Sequence, residues 1–344
     1  MPEKIKIAVI SGGLSNEREV SLKSGEQVFS NLDDEKYEKY LIEITKDGKW
    51  LATRNNLQIE DKSKNKSLVI MDSEKGITEN DLNVYSVVFL ALHGTFGEDG
   101  RMQSVLDILG VPYTGSGVLA SALGMDKLKS SQFVRALGIK TPNFLNFYDK
   151  NNIDNIDKQI ESKIGYPCVV KPTESGSSIG ISIVKERKDL NEAIKKAYDE
   201  HDKIIIEEFI EGREITCGVL GNNFDKKLEA LPPVEIISKN EFFDYNAKYF
   251  SEDTEEICPT EISNNLTSQI QDYAKKIHRA LGCDGLTRSD FILRDGEFYF
   301  LEVNTLPGLT EQSLCPKEAR AAGMSFSEFI DRQVNLAIEK SKRK

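Results

Sequence analysis

Apolar residues fall into short runs and helical stripes that alternate along the chain. Lys4–Ile10 reads as a buried strand running into Gly12-Gly13, and Asn16 with Glu19 offers a capping box for a helix through Ser24. A strand that feeds a glycine turn and a helix N-terminus opens an open α/β sheet, whose ligands gather at strand C-ends. Val84–Leu92 repeats the pattern and ends in His93-Gly94, followed by the loop Thr95–Gly100 and a helix from Arg101 to Leu109. Asn55–Lys66 is charged and poor in apolar residues, a surface excursion.

The pattern changes near Ser121. Asp126–Leu137 reads as a helix stopped by Gly138, Cys168–Lys171 and Ile181–Lys185 as strands, Leu190–Asp199 as a helix and Lys203–Phe209 as a strand. Hairpin-like connections here predict an α+β unit. Strands follow at Glu214–Leu220 and Glu229–Ile237, then Ser238–Glu256, polar and aromatic without period, as a loop or lid. Leu266, Ile270, Tyr273, Ile277 and Leu281 recur at 4-3-4-4 spacing with Gly282 as the stop, the clearest helix of the chain. A last amphipathic helix spans about Ser325–Glu339. These breaks divide the chain into an N-terminal unit (1–120), a central unit (121–212) and a C-terminal unit (213–344) with a lid at about 236–256.

Thr287–Leu293 and Glu297–Val303 form two strand-like runs that share a turn. Strict alternation sets Ser289, Phe291, Leu293, Tyr299, Leu301 and Val303 on one face. Arg288, Asp290, Glu302 and Asn304 fall on the other, beside Phe298 and Phe300. Two acids, an amide and an arginine so placed make a platform for a metal and an anion; a solvated charged face is the plain alternative. For Asp290 and Glu302 to share a face the connection must be odd, so Arg294–Gly296 is expected as a three-residue loop with Gly296 left-handed. A two-residue Asp-Gly turn would split the site.

Composition narrows the function. The net charge of −11 over 344 residues disfavours a nucleic-acid backbone as partner, while local lysines and arginines leave small anions open. No apolar run approaches the ~20 residues that span a bilayer, and the N-terminus lacks a signal-peptide core. Five dispersed cysteines, none in a C-x-x-C spacing, fit a reducing cytosol without structural zinc.

Several segments carry possible chemistry. Glu174–Gly180, between two strands, exposes backbone N–H groups that can fold over phosphates, although a flexible hairpin loop accounts for it equally. Lys171 could reach a phosphate beneath that loop or be merely solvated. Ile204–Ile210 with Glu214 is a core strand leading into a linker whose backbone can read an adenine. His93, beside an acidic loop, is balanced between a structural and a ligand-facing role. Glu98, Asp99 and Arg101 are expected to organise that turn.

Taken together, Gly12–Ser21, His93–Gly100, Tyr113–Gly117, Met125-Asp126-Lys127, Lys171-Pro172, Gly176–Gly180, Ala247-Lys248-Tyr249, Arg288-Ser289-Asp290 and Glu302–Gly308 resemble the D-alanine–D-alanine ligase family of ATP-grasp enzymes almost from end to end. The resemblance implies a three-domain ATP-grasp fold, α/β and α+β, with an N-terminal open parallel α/β domain and ATP clamped between the other two. It implies ATP as co-substrate, with Lys127, Lys171 and Ser178 at the phosphates and Glu207, Phe209, Ile210 and Glu214 at adenosine. Two Mg²⁺ ions, replaceable by Mn²⁺, would be held by Asp290, Glu302 and Asn304. Glu17 and His93 would meet the ammonium of the first D-alanine, and Lys248, Ser313 and Leu314 would lie at the second substrate. Arg288 and the Gly308 backbone would face the oxyanion, and Glu17, Ser177 and Tyr249 would tie the lid to the N-terminal domain. A cytoplasmic homodimer, with neither nucleic acid nor membrane as partner, is expected. A D-lactate or D-serine ligase is the nearest alternative, with Tyr249 arguing against lactate. A non-catalytic nucleotide-binding regulator is the alternative of another class, and the retained acids, Asn304, Arg288 and both lysines argue against it.

Overall fold

A computed structural model describes residues 3–54, 68–71, 82–148, 156–176, 179–238 and 254–343. The excursion 55–66 and most of the expected lid, with Lys248 and Tyr249, lie outside the described residues, as do Ser177 and Ser178. Three sheets are built from the described residues. The first has the order β4-β3-β2-β1-β5, formed by β1 (Ile5–Gly12), β2 (Tyr37–Ile44), β3 (Trp50–Arg54), β4 (Leu68–Met71) and β5 (Val87–Leu90). The pairings of β1 with β2 and β5 are parallel; β3 pairs antiparallel with β2 and β4 antiparallel with β3, at an edge expected to be open and parallel.

Helix α1 (Arg18–Asn31) packs on this sheet, and α2 (Arg101–Ile108) follows the β5 loop. The capping box expected at Asn16 and Glu19 does not form: Glu17 occupies the cap position, and its side chain does not cap the helix N–H groups. Ser15 explains the shift. Its Oγ accepts from the Glu17 N–H at 3.2 Å and donates to the His93 carbonyl at 2.7 Å, which winds the turn one residue further and ties it to the β5 loop.

Helix α3 (Val118–Met125) runs across the division expected at 120/121 and is followed by α4 (Lys127–Ala136), capped by the Asp126 side chain on the Lys129 N–H. The second sheet is antiparallel in the order β6-β9-β7-β8, from β6 (Phe144–Phe147), β7 (Cys168–Pro172), β8 (Ser182–Val184) and β9 (Ile204–Glu208). Helices α5 (Ile156–Lys163) and α6 (Leu190–Glu200) close its core through Ile160, Ala193, Ile194 and Ala197.

The third sheet has the order β13-β12-β10-β14-β15, with β11 paired to β10; its strands are β10 (Arg213–Leu220), β11 (Glu229–Ala230), β12 (Val234–Ser238), β13 (Thr254–Ile257), β14 (Leu286–Arg294) and β15 (Glu297–Asn304). Pro232 and Pro233 break the single strand expected over 229–237, because proline cannot donate to a ladder. Helix α7 (Asn264–Ala280) buries Ile270, Ala274 and Ile277 on this sheet. Helices α8 (Leu314–Ala321) and α9 (Phe326–Ser341) end the chain. Phe329, Ile330 and Val334 of α9 share a core with Ile7, Val9, Val87 and Phe89, so the last helix packs on the first sheet.

The β14–β15 connection differs from the expected three-residue loop. Arg294 pairs with Glu297 and Leu293 with Phe298, leaving a two-residue turn with φ of 53° at Asp295 and 79° at Gly296. Positive φ at both positions is the twist-matched type I′ geometry that favours Asp-Gly. The site survives because a bulge shifts the register: Phe291 faces Phe300, but Asp290 faces Glu302 and Arg288 faces Asn304. The inserted residue, Leu301, reverses the alternation. It sends Phe298 and Phe300 to the core, edge-on to Phe291 at 6.0 and 5.9 Å, and keeps the polar set together. Gly296→Val should therefore cost on the order of 1 kcal/mol or more through left-handed strain, read as a lower denaturant midpoint. An unchanged midpoint would show that the turn relaxes to another type.

Candidate active site

A cavity of about 260 Å³ opens where the three sheets meet, lined by side chains from α1, the β5 loop, α4, β15 and the segment leading to α8. It brings together Glu17, His93, Lys127, Arg288, Glu302, Asn304, Gly308, Ser313 and Leu314. Lys171, Glu207, Phe209, Ile210, Glu214 and Asp290 do not line it.

Glu17 is buried at the start of α1, and Gly94 and Gly176 make room for its carboxylate: a Cβ at either glycine would overlap Oε2. Two loops from different units thus close on one acid. His93 is also buried. Its Nδ1 lies 3.0 Å from the Leu306 carbonyl, which only accepts, so Nδ1 carries the proton and Nε2 accepts from Ser24 Oγ at 2.9 Å. Burial lowers the His93 pKa, against the pull of Glu17, and favours this neutral form. His93 therefore ties α1 and the 306 loop to the cavity wall.

The platform residues are held by one another. Arg288 donates from Nε and Nη2 to the two oxygens of Asp290, both at 2.8 Å. Thr216 Oγ1 donates to Asp290 at 2.6 Å and Asn304 Nδ2 at 3.1 Å, so the amide oxygen of Asn304 remains an acceptor. Glu302 pairs with Lys127 at 3.1 Å, and Lys127 also donates to the Ser175 carbonyl at 2.7 Å, joining the third sheet to the glycine loop. Lys171 and Glu207, both buried, pair at 2.6 Å across β7 and β9. Ile210 is buried, Phe209 is half-buried, and Glu214 stands on β10 opposite Ile292. Ser313 precedes α8, and its Oγ accepts from the Thr310 N–H at 3.2 Å.

Glu98 was assigned only a turn role from sequence, and it does more. It accepts from the Gly94 N–H at 2.8 Å and the Leu306 N–H at 3.2 Å, joining two loops, and it lines the cavity. Burial, then the charge of Glu17, raises its pKa to about 8. The folded protein therefore binds a proton that the unfolded chain has released, and stability from this group falls as pH rises from about 4.5 to about 8. The melting-temperature gain of Glu98→Gln over the parent should accordingly grow across that window. A difference independent of pH would contradict a raised Glu98. Lys23, Thr310 and Gln312 also line the cavity and carry no sequence signal, and Glu256 reaches it from the end of the expected lid.

Residues 6–116 match the family described as D-ala D-ala ligase N-terminus, and residues 133–335 match D-ala D-ala ligase C-terminus. The chain belongs to the D-alanine–D-alanine ligase family. The D-alanine–D-alanine ligase of Syntrophobacter fumaroxidans is 41% identical over 339 residues, covering 98% of this chain and 99% of the relative. That of Caldicellulosiruptor bescii is 40% identical, covering 99% and 97%. Among solved structures, the VanG D-Ala:D-Ser ligase of Enterococcus faecalis superposes with a TM-score of 0.84 at 35% identity, over 97% of this chain and all (100%) of that one. The Bacillus anthracis D-alanine–D-alanine ligase complexed with ATP gives 0.75 at 31% identity, over 98% and 99%. The three-sheet arrangement is the ATP-grasp fold of these ligases. No helix among the described residues is long and apolar enough to cross a membrane.

Proposed function

We propose that this D-alanine–D-alanine ligase family member joins two D-alanine molecules to D-alanyl-D-alanine through a D-alanyl phosphate, converting ATP to ADP and phosphate, for peptidoglycan precursors in the cytoplasm. The observation that carries the reading is the convergence of Glu17, Lys127, Arg288, Glu302, Asn304 and the 308–314 segment on one cavity. A carboxylate is a poor acyl donor, so its oxygen first takes the γ-phosphoryl group; the second amine then attacks the acyl carbon and phosphate leaves.

Each wall suits one part of this sequence. Glu17 offers buried negative charge to the ammonium of the first D-alanine, beside neutral His93. Lys127, beneath the glycine loop, and Lys171 on β7 are cations for the transferring phosphoryl group. Glu207, Phe209, Ile210 and Glu214, outside the cavity along β9 and β10, form the adenosine side. At the other end, the Ser313 hydroxyl and the N–H groups of the first turn of α8 suit the carboxylate of the second substrate. Arg288 keeps donors beyond the two given to Asp290, and with the Gly308 N–H it faces the oxyanion that forms on amine attack.

Asp290, Glu302 and Asn304 fit Mg²⁺ by their chemistry: hard oxygen donors on one face, balanced at rest by Arg288 and Lys127. Among the described residues no group of three or more His, Cys, Asp or Glu is arranged for a metal, so phosphate oxygens of the nucleotide would complete the shell. Bound there, Mg²⁺ would neutralise phosphate charge. A homodimer is the proposed assembly. The test is phosphate release and dipeptide formation from ATP, Mg²⁺ and D-alanine, with D-serine and D-lactate as competitors. Activity only with D-serine or D-lactate in the second position would replace the reading.

A further inference from the structure

Glu318 on α8 is fully buried, and its carboxyl oxygens have only the weak contacts of the Cys315 thiol and the Gly218 backbone in place of a well-formed hydrogen bond among the described residues. An acid so poorly satisfied in an interior is destabilising, so its place calls for a physical reason. The carboxyl lies over Cα of Gly218 on β10, where a Cβ would overlap Oε2. Gly218 stands directly opposite Arg288 in the β10–β14 ladder, and Thr216 stands opposite Asp290. Directly opposed residues share a face, and the 2.6 Å bond from Thr216 Oγ1 to Asp290 marks that face as the one carrying the site. The side-chain position left empty at 218 is therefore the space beside Arg288, and Glu318 fills it from α8. Burial pushes its pKa up to about 8, and the charge of Arg288 is the largest influence opposing that rise.

Arg288 has only 13% of its side chain exposed and at rest is balanced by Asp290. When Asp290 turns to a divalent cation, that balance is lost, and a buried guanidinium without a counter-charge is strongly disfavoured. Resting on the ligase reading above, we propose that Glu318 is a positioning residue for Arg288: its carboxyl, seated over Gly218 on the face that carries Arg288, keeps its proton while Asp290 balances the guanidinium and releases it to solvent to become the counter-charge when Asp290 is drawn to the metal-bound nucleotide.

Two variants test this in the full-length protein with ATP, Mg²⁺ and D-alanine. Glu318→Gln keeps the shape and removes the capacity to become the counter-charge. Its kcat should fall at least about tenfold, with KM for ATP and D-alanine within about threefold of the parent. The melting temperature of the ligand-free variant should stay level or rise, since a poorly satisfied buried acid is gone. Wild-type kcat in this variant overturns the proposal. The double variant Gly218→Ala with Glu318→Ala refills the space from the other side. It should regain melting temperature over each single variant while kcat stays low; recovery of kcat together with stability would reduce Glu318 to a space-filler and overturn the proposal. Failure of the parent protein itself to form dipeptide would remove the ligase reading, and this inference with it.

Discussion

Glu302→Gln should lower kcat by about 10³-fold or more, because it removes the charged ligand proposed for the phosphoryl-transfer end of the cavity. Glu302 is held between two demands in the ligand-free protein. It neutralises Lys127 across a 3.1 Å pair, and it stands opposite Asp290 on the neighbouring strand. Gln keeps the volume and one acceptor oxygen but cannot balance either Lys127 or a divalent cation. The fold should persist, because 23% of the Glu302 side chain reaches solvent and the ladder on either side is intact. Nucleotide affinity should also lose most of its dependence on Mg²⁺, which titration calorimetry with and without the ion reads independently of turnover. Near-normal kcat would place the metal elsewhere.

The platform was legible in the sequence because its residue types are rare in combination, yet the route from sequence to geometry was wrong. Alternation alone required an odd connection to keep Asp290 and Glu302 together. The chain instead uses the turn that Asp295-Gly296 favours and restores the register with a bulge at Leu301. Turn chemistry is local and can be read from two residues, whereas a bulge depends on which side chains the core accepts, here Phe298 and Phe300 against Phe291. Helix α8 escaped notice for a different reason. It is eight residues long and carries Pro316 in its first turn, where proline is tolerated but reads as a breaker. Glu98 and Glu318 were hidden because a string of residues does not show burial, and burial is what changes their chemistry. The pairing of Lys171 with Glu207 was equally out of reach: both were expected at a nucleotide, and only the β7–β9 register sets them side by side.

Arg288→Lys is the other large effect, and it separates charge from shape. The guanidinium gives two parallel bonds to Asp290, both 2.8 Å, and still holds further N–H groups. An ammonium is a point donor on a shorter reach and cannot satisfy both Asp290 oxygens while also facing the proposed oxyanion. The pair is largely buried, with 13% and 6% of the two side chains exposed, so the charge itself must be kept for the fold to stand. Lysine keeps it, and Asp290 retains Thr216 and Asn304 as donors. The variant should fold, with a melting temperature a few degrees lower, while kcat falls by about 10²–10³-fold, the usual loss for one oxyanion donor. KM for D-alanine should move little, because the interaction proposed for Arg288 belongs to the transition state and not to substrate binding. Arg288→Ala should instead be strongly destabilised, by about 3–5 kcal/mol, since it strands the Asp290 carboxylate without its ion partner. If the lysine variant turned over as fast as the parent, positive charge alone would suffice at this position, and the oxyanion would have to be held by the Gly308 side of the cavity.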